Sequence, residues 1–254
     1  MTDRASYSEP QWGRDGRDRK AEALFNTLLS RCGPGIAAGC WADLGCGSGG
    51  IVAELAGRVR WITGIDPEPW AAWAQAAAVH PNLSFIEAPC DTTELPLAQA
   101  SVDVAICNQV YEHVADPRRL VLNLGYILKP GGWCYFAGPN LLWPIEPHVF
   151  WPFVHWLPRQ LAHSLMRLAG ARRPEDLDAC STHVWKLRRW FEEAGLDWVD
   201  AVPARAAAGL AMAGHLRLAR MVECVPSPAW IPLRPLWPGF VFILHKHARP
   251  RVDA

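Results

Sequence analysis

Residues 43–50 read D-L-G-C-G-S-G-G: an acidic residue closes an apolar run, a glycine-dense turn follows, and a helix-like segment comes next. Glycine accepts positive φ at little steric cost and lets the backbone pass close to a ligand, so Gly45, Gly47 and Gly49 are expected to make the turn. Gly45, Gly47 and Gly50 also satisfy G-x-G-x-x-G, the dinucleotide fingerprint when it joins a strand to a helix. Asp43 departs from that fingerprint. It stands two residues before the first glycine, where dinucleotide sites usually carry an apolar strand residue, and its carboxylate can accept hydrogen bonds or meet a cation. A second acid, Asp66, ends the next apolar run, W-I-T-G-I-D, about where such folds place a ribose-binding carboxylate. Two strand-end acids flanking a glycine turn favour a cationic, nucleoside-bearing cofactor.

From these residues onward the chain resembles the class I S-adenosylmethionine-dependent methyltransferases, those of the type 11 kind in particular. Besides 43–49, the resemblance rests on G-I-D-P at 64–67, C-D-T-T-E-L-P at 90–96, S-V-D-V-A-I-C-N-Q-V-Y-E-H-V at 101–114 and L-K-P-G-G-W at 128–133. It implies S-adenosyl-L-methionine as cofactor. Asp66, followed by Pro67, would hold the ribose hydroxyls; Asp91 with Thr92 would face the adenine. The backbone of Gly45 and Gly47, flanking Cys46 and followed by Gly49, would approach the methionine part, which Asp43 would help to orient. Asn108 and Gln109, at the end of the fourth strand, complete the expected cofactor set.

Alternating apolar and helical runs place strands at 39–44, 60–65, 83–87, 102–107, 132–138, 196–202 and 239–246. Helices are expected at 21–29, 49–57, 68–79, 116–128, 183–194 and 204–223, with Asp116 as N-cap before Pro117 and the glycine pair after Pro130 stopping that helix. The fold implied is α/β: a Rossmann-like, seven-stranded, mostly parallel sheet with helices on both faces and an antiparallel last strand. A single domain over 1–254 is expected, with an N-terminal arm at 1–20 and an acceptor-covering insertion at about 139–182. Within the arm, Tyr7, Trp12 and Arg14 are candidates to fold over the cofactor, with a disordered arm as the competing reading.

Composition narrows the function further. Lys+Arg and Asp+Glu both total 25, so no basic excess advertises a nucleic acid. The first forty residues hold no signal-type apolar stretch, which makes the cytoplasm the default location. The eight cysteines include no C-x-x-C pair, and Cys40, Cys46, Cys107 and Cys134 read as small apolar fillers in strands or the glycine turn, with no metal site expected.

Methyl transfer from a sulfonium asks mainly for positioning, with a general base useful only where the acceptor is a hydroxyl. His113 in Y-E-H-V is the candidate base, a structural hydrogen bond being its competing role. The segment at 139–158, P-N-L-L-W-P-I-E-P-H-V-F-W-P-F-V-H-W-L-P, reads as an acceptor lid, with Glu146 and His148 as its polar contacts and a rigid aromatic strap as the bland alternative. Its prolines rule out one continuous helix. Leu161, Leu165 and Leu168 then share a helical face near Arg159 and Arg167, so 141–169 is also a candidate for peripheral membrane contact. The expected acceptor is a small molecule or a lipid or sugar-lipid. The competing readings are a nicotinamide-type oxidoreductase, against which Asp43 and the L-K-P-G-G turn argue, and a binding module that kept the fold without catalysis.

Overall fold

The computed structural model describes residues 14–146, 149–171, 177, 180–226, 229–230 and 237–248. Seven strands form one sheet: β1 (Cys40–Leu44), β2 (Trp61–Asp66), β3 (Leu83–Glu87), β4 (Val102–Asn108), β5 (Leu128–Pro139), β6 (Leu196–Asp200) and β7 (Gly239–Lys246). Their order is β3-β2-β1-β4-β5-β7-β6, with β7 antiparallel to both of its neighbours and the remaining pairs parallel. The expected α/β sheet is therefore present.

Eight helices accompany the sheet among the described residues: α1 (Arg14–Cys32), α2 (Gly50–Ala56), α3 (Ala71–Val79), α4 (Pro117–Ile127), α5 (Arg159–Leu168), α6 (Val184–Glu193), α7 (Val202–Met212) and α8 (Leu216–Cys224). Alternation along the central strands feeds two cores. Ala105 and Cys107 of β4 with Cys134 and Phe136 of β5 meet Leu120 and Leu124 of α4 and Leu187 and Phe191 of α6. Val104 and Ile106 with Tyr135 face the other way, onto Leu24 and Leu28 of α1 and Val52 and Leu55 of α2.

Three element expectations need correction. The helix expected from 21 begins at Arg14, inside the charged run assigned to the arm. Charged residues are adequate helix formers on a solvated face, and tertiary packing of Ala21, Leu24, Phe25 and Leu28 supplies the rest. The helix opened by Asp116, whose carboxylate accepts from the Arg119 N–H at 2.9 Å, stops at Ile127 and not after Pro130. Pro130 disfavours helical backbone at Lys129, and the strand is already extended at Leu128; the register shift between Val102 and Val104 absorbs the Gly131 turn. Lys246 of β7 donates to the Gly125 and Leu128 carbonyls, each at 2.6 Å, and so closes the end of α4. Finally, the single helix expected over 204–223 is two, α7 and α8, parted at Gly214 with φ 85.

The insertion after β5 carries the turn Val154–Trp156, α5, and a small core of its own made by Val154, Ala162, Met166 and Leu177. His148, Tyr7 and Trp12 lie outside the described residues, as does the side chain of Arg14.

Candidate active site

The carboxyl ends of β1, β2 and β4 lie side by side, with Asp43 opposite Gly64 on one flank and Ile106 on the other. Ligands in open α/β sheets bind beyond such ends. Asp43 is 3% exposed, and burial, with the Asp66 charge adding to it, pushes its carboxyl up to about 8. A buried acid held in this condition is ready to accept a cation.

The chain leaves Asp43 and turns. Gly45, Gly47 and Gly49 have φ of 77, 52 and 80, the left-handed region that favours glycine. Their reasons differ. A Cβ on Gly45 would lie 2.5 Å from a Val110 methyl, and one on Gly49 would lie 2.6 Å from the Phe85 ring, so both are demanded by packing. A Cβ on Gly47 would meet nothing within 4 Å, which leaves bare main chain facing open space. The Gly45 and Cys46 N–H groups both donate to the Ile65 carbonyl, at 2.7 and 3.0 Å, fixing the turn to β2. Burial raises the Cys46 thiol, so it stays neutral beside the two acids.

Asp66 is bound to the same turn. Its carboxylate accepts from the Gly47 N–H at 2.8 Å and from the Glu68 N–H at 3.1 Å, just beyond the exposed Pro67. Two residues without a sequence signal brace this arrangement. The Trp73 indole N–H of α3 donates to the Gly47 carbonyl at 2.8 Å, and its ring stacks on Phe85 of β3 at 4.8 Å.

On the adjoining side, Asp91 accepts from the Asp116 N–H at 2.9 Å, and the Thr92 hydroxyl accepts from the Glu94 N–H at 3.4 Å. Buried Asn123 of α4 donates to the Cys90 and Thr92 carbonyls at 2.8 and 2.9 Å and holds this loop in place. Nothing in L-N-L-G marked it as more than a core-facing polar residue.

Beyond β4, Asn108 pairs with Ala137, and Gln109 takes φ 60 while donating its N–H to the Ala137 carbonyl. A non-glycine residue in that region is a strained turn of the kind that gathers at functional sites. Val110 then fills the space beside Gly45, and Tyr111 and Glu112 turn inward, Glu112 being 1% exposed. His113 turns outward, its side chain 45% exposed and its Nε2 3.9 Å from the Glu112 carboxylate.

Of the lid residues, Glu146 is buried, and its carboxylate accepts from the Val149 N–H at 2.7 Å within its own loop. The geometry thus gathers Asp43, Gly45, Cys46, Gly47, Gly49 and Asp66 tightly, sets Asp91, Thr92, Asn108, Gln109 and His113 on the same edge, and gives Glu146 a role in shaping the insertion. Among the described residues, no group of three His, Cys, Asp or Glu is arranged to hold a metal ion.

A sheet of this order, with an acid ending β1, a three-glycine turn and a second acid ending β2, defines a class I S-adenosylmethionine-dependent methyltransferase. Residues 42–136 match the family model of the methyltransferase domain. It is 28% identical over 138 residues to an uncharacterized methyltransferase of Mycobacterium bovis, spanning 54% of this chain and 68% of that protein. It is 37% identical over 107 residues to the ubiquinone biosynthesis O-methyltransferase of Albidiferax ferrireducens, spanning 39% of this chain and 40% of that protein. Among solved structures it is similar to geranyl diphosphate C-methyltransferase from Streptomyces coelicolor A3(2) in complex with Mg2+, geranyl diphosphate and S-adenosyl-L-homocysteine. That likeness has a TM-score of 0.55 at 16% identity and covers 97% of this chain and 88% of the other, a likeness of fold. S-adenosyl-L-methionine is the cofactor.

Proposed function

We propose that the protein methylates a small apolar or lipid-like acceptor seated between the end of β4 and the 139–182 insertion. One observation carries the cofactor half of this reading: a buried acid beside a bare glycine main chain. Asp43, held up to about 8 by burial, gains a counter-ion when the cationic methionine part arrives, and the open face of Gly47 admits it.

When bound, the cofactor supplies a methyl group on a sulfonium leaving group. The chain supplies the rest. Asp66, preset by two backbone amides, is assigned to the ribose, and the loop of Asp91 and Thr92, pinned by Asn123, is assigned to the adenine side. Asn108 and Gln109 border the transfer point, where positioning supplies most of the rate. His113, exposed at this edge, is assigned as general base for a hydroxyl acceptor.

The acceptor half is supported by the composition of the insertion, which follows β5 in the chain and carries Trp143, Trp151 and Trp156. The similarity to a quinone-biosynthesis O-methyltransferase points to the same kind of acceptor. The test offers isotopically labelled cofactor to fractions of small molecules and lipids and identifies labelled product by mass spectrometry. Label confined to protein or RNA, with none in the apolar fractions, would sink the acceptor assignment.

A further inference from the structure

His155 stands in the turn Val154–Trp156 of the insertion, and its Nε2 lies 3.2 Å from the Leu141 carbonyl. A carbonyl oxygen has no hydrogen to give, so the hydrogen of this bond sits on Nε2. In the neutral ring Nδ1 is then a bare lone pair, its direction fixed by the bond that the other nitrogen makes. Nδ1 is shut away from water, and among the described residues no donor meets it. Buried polar atoms are nearly always satisfied, and an exception calls for a role beyond packing.

The same bond places the ring. Leu141 lies two residues beyond the end of β5, and its N–H donates to the Thr182 carbonyl at 3.2 Å. Asn140 beside it is buried and pairs with Thr182. Tyr111, two residues after Gln109, bonds both the Pro139 carbonyl and the Thr182 N–H. Hydrogen bonds thus lead from the segment after β4, through the two ends of the insertion, to His155. The Leu141 carbonyl is also held by the Trp156 indole N–H at 2.5 Å, so the turn has a second anchor. The Trp156 ring stands edge-on to the imidazole at 5.6 Å and 5.0 Å from Phe153, both aromatic rings being half exposed.

We propose that His155 is a specificity-determining contact for the acceptor, its Nδ1 accepting a hydrogen bond from a hydroxyl that the acceptor carries beside the atom to be methylated. The inference rests on the acceptor seat proposed above and narrows its occupant from an apolar molecule to a hydroxylated one. A buried acceptor atom selects strongly, because an analogue without the hydroxyl leaves it unpaired. Reaching Nδ1 needs a neighbouring side chain to turn aside, a change of rotamer that binding commonly brings. Proton removal stays with His113 at the end of β4, so one imidazole holds the acceptor and the other takes its proton.

The test compares para-nonylphenol with its methyl ether, apolar probes that differ in the hydroxyl hydrogen, by calorimetry on the full chain saturated with S-adenosyl-L-homocysteine. The parent should bind the phenol about tenfold more tightly than the ether, the worth of a hydrogen bond made in a dry site. His155→Phe keeps a flat ring without a lone pair and leaves the Trp156 bond to Leu141 in place. It should lose the preference while its affinity for the ether, its cofactor affinity and its circular dichroism match the parent. His155→Gln, which can still donate to Leu141 and accept through its oxygen, should recover part of the preference, and His113→Gln should keep all of it. In protein with isotope-labelled imidazoles, NMR should show Nδ1 of His155 without a hydrogen and its signal moved by the phenol but not by the ether. Equal binding of the two probes to the parent, a preference that survives His155→Phe or vanishes with His113→Gln, or a hydrogen on Nδ1 would each overturn the proposal and leave the acceptor seat standing. A parent that binds neither probe would overturn it together with that seat.

Discussion

The Tyr111 hydroxyl accepts the backbone N–H of Thr182 at 3.2 Å and donates to the carbonyl of Pro139. One buried phenol thereby closes both ends of the insertion onto the segment that follows β4, and its neighbour Val110 is the residue against which Gly45 packs. Tyr111→Phe keeps the ring against Phe136 but removes both bonds. Stability should fall by about 1–3 kcal/mol, as for a buried donor or acceptor left without its partner. The acceptor KM should rise while cofactor affinity holds; an unchanged KM in steady-state kinetics would confine Tyr111 to folding.

The glycines of the turn should separate by readout. Gly45→Ala brings a methyl against Val110 at positive φ, so the expected result is lost thermal stability and little soluble folded protein. Gly47→Ala meets no neighbour, costs about 1–2 kcal/mol of left-handed strain, and should fold. Its defect should be in cofactor affinity, read by calorimetry; affinity equal to the parent would remove Gly47 from the cofactor surface.

Asp43 should make cofactor binding depend on pH. Its folded carboxyl stands at about 8 against an ordinary 3.8, so the folded chain binds this proton more tightly than the unfolded chain. The resulting stability is complete below 3.8 and is lost as pH rises through about 8. A cation beside Asp43 reverses that preference, so binding should release a proton near neutral pH and tighten across the same window. Calorimetry in buffers of different ionisation heat measures the release. Asp43→Asn should abolish it, and release undiminished in that variant would assign the proton elsewhere.

His113 and Asp66 should fail differently. Asp66→Ala removes the acceptor of the Gly47 and Glu68 amides and should abolish cofactor binding. His113→Gln should leave binding intact and lower kcat by about 10²–10⁴-fold if it takes the acceptor proton. A parental kcat with an unchanged pH profile would leave the imidazole a structural role.

Local signals carried much of the architecture. Apolar runs ended by Asp43 and Asp66, a glycine turn between them, and an Asp-Pro helix start are all short-range patterns, and each took the expected place. What escaped were relationships set by packing across the chain. Trp73 looked like one aromatic among alanines, yet it props Gly47 from another helix; Asn123 looked like core, yet it anchors a loop more than thirty residues upstream. Glu146 shows the opposite gap. Its type was visible and its direction was not, because only the fold of the loop turns the carboxylate onto Val149. The start of α1 was hidden because R-D-G-R-D-R-K shows no apolar periodicity of its own, and packing of Ala21, Leu24 and Leu28 further along supports the whole helix.

The ammonium of Lys246 clasps the trailing end of α4, and two residues before that clasp Asn123 grips the loop assigned to the nucleobase. The helix therefore behaves as a strut running from the rim opposite the reaction to the reaction itself. Loosening that distal rivet, for example by Lys246→Met, should therefore be felt at the nucleobase loop and weaken cofactor affinity in calorimetry without altering any residue of the proposed pocket.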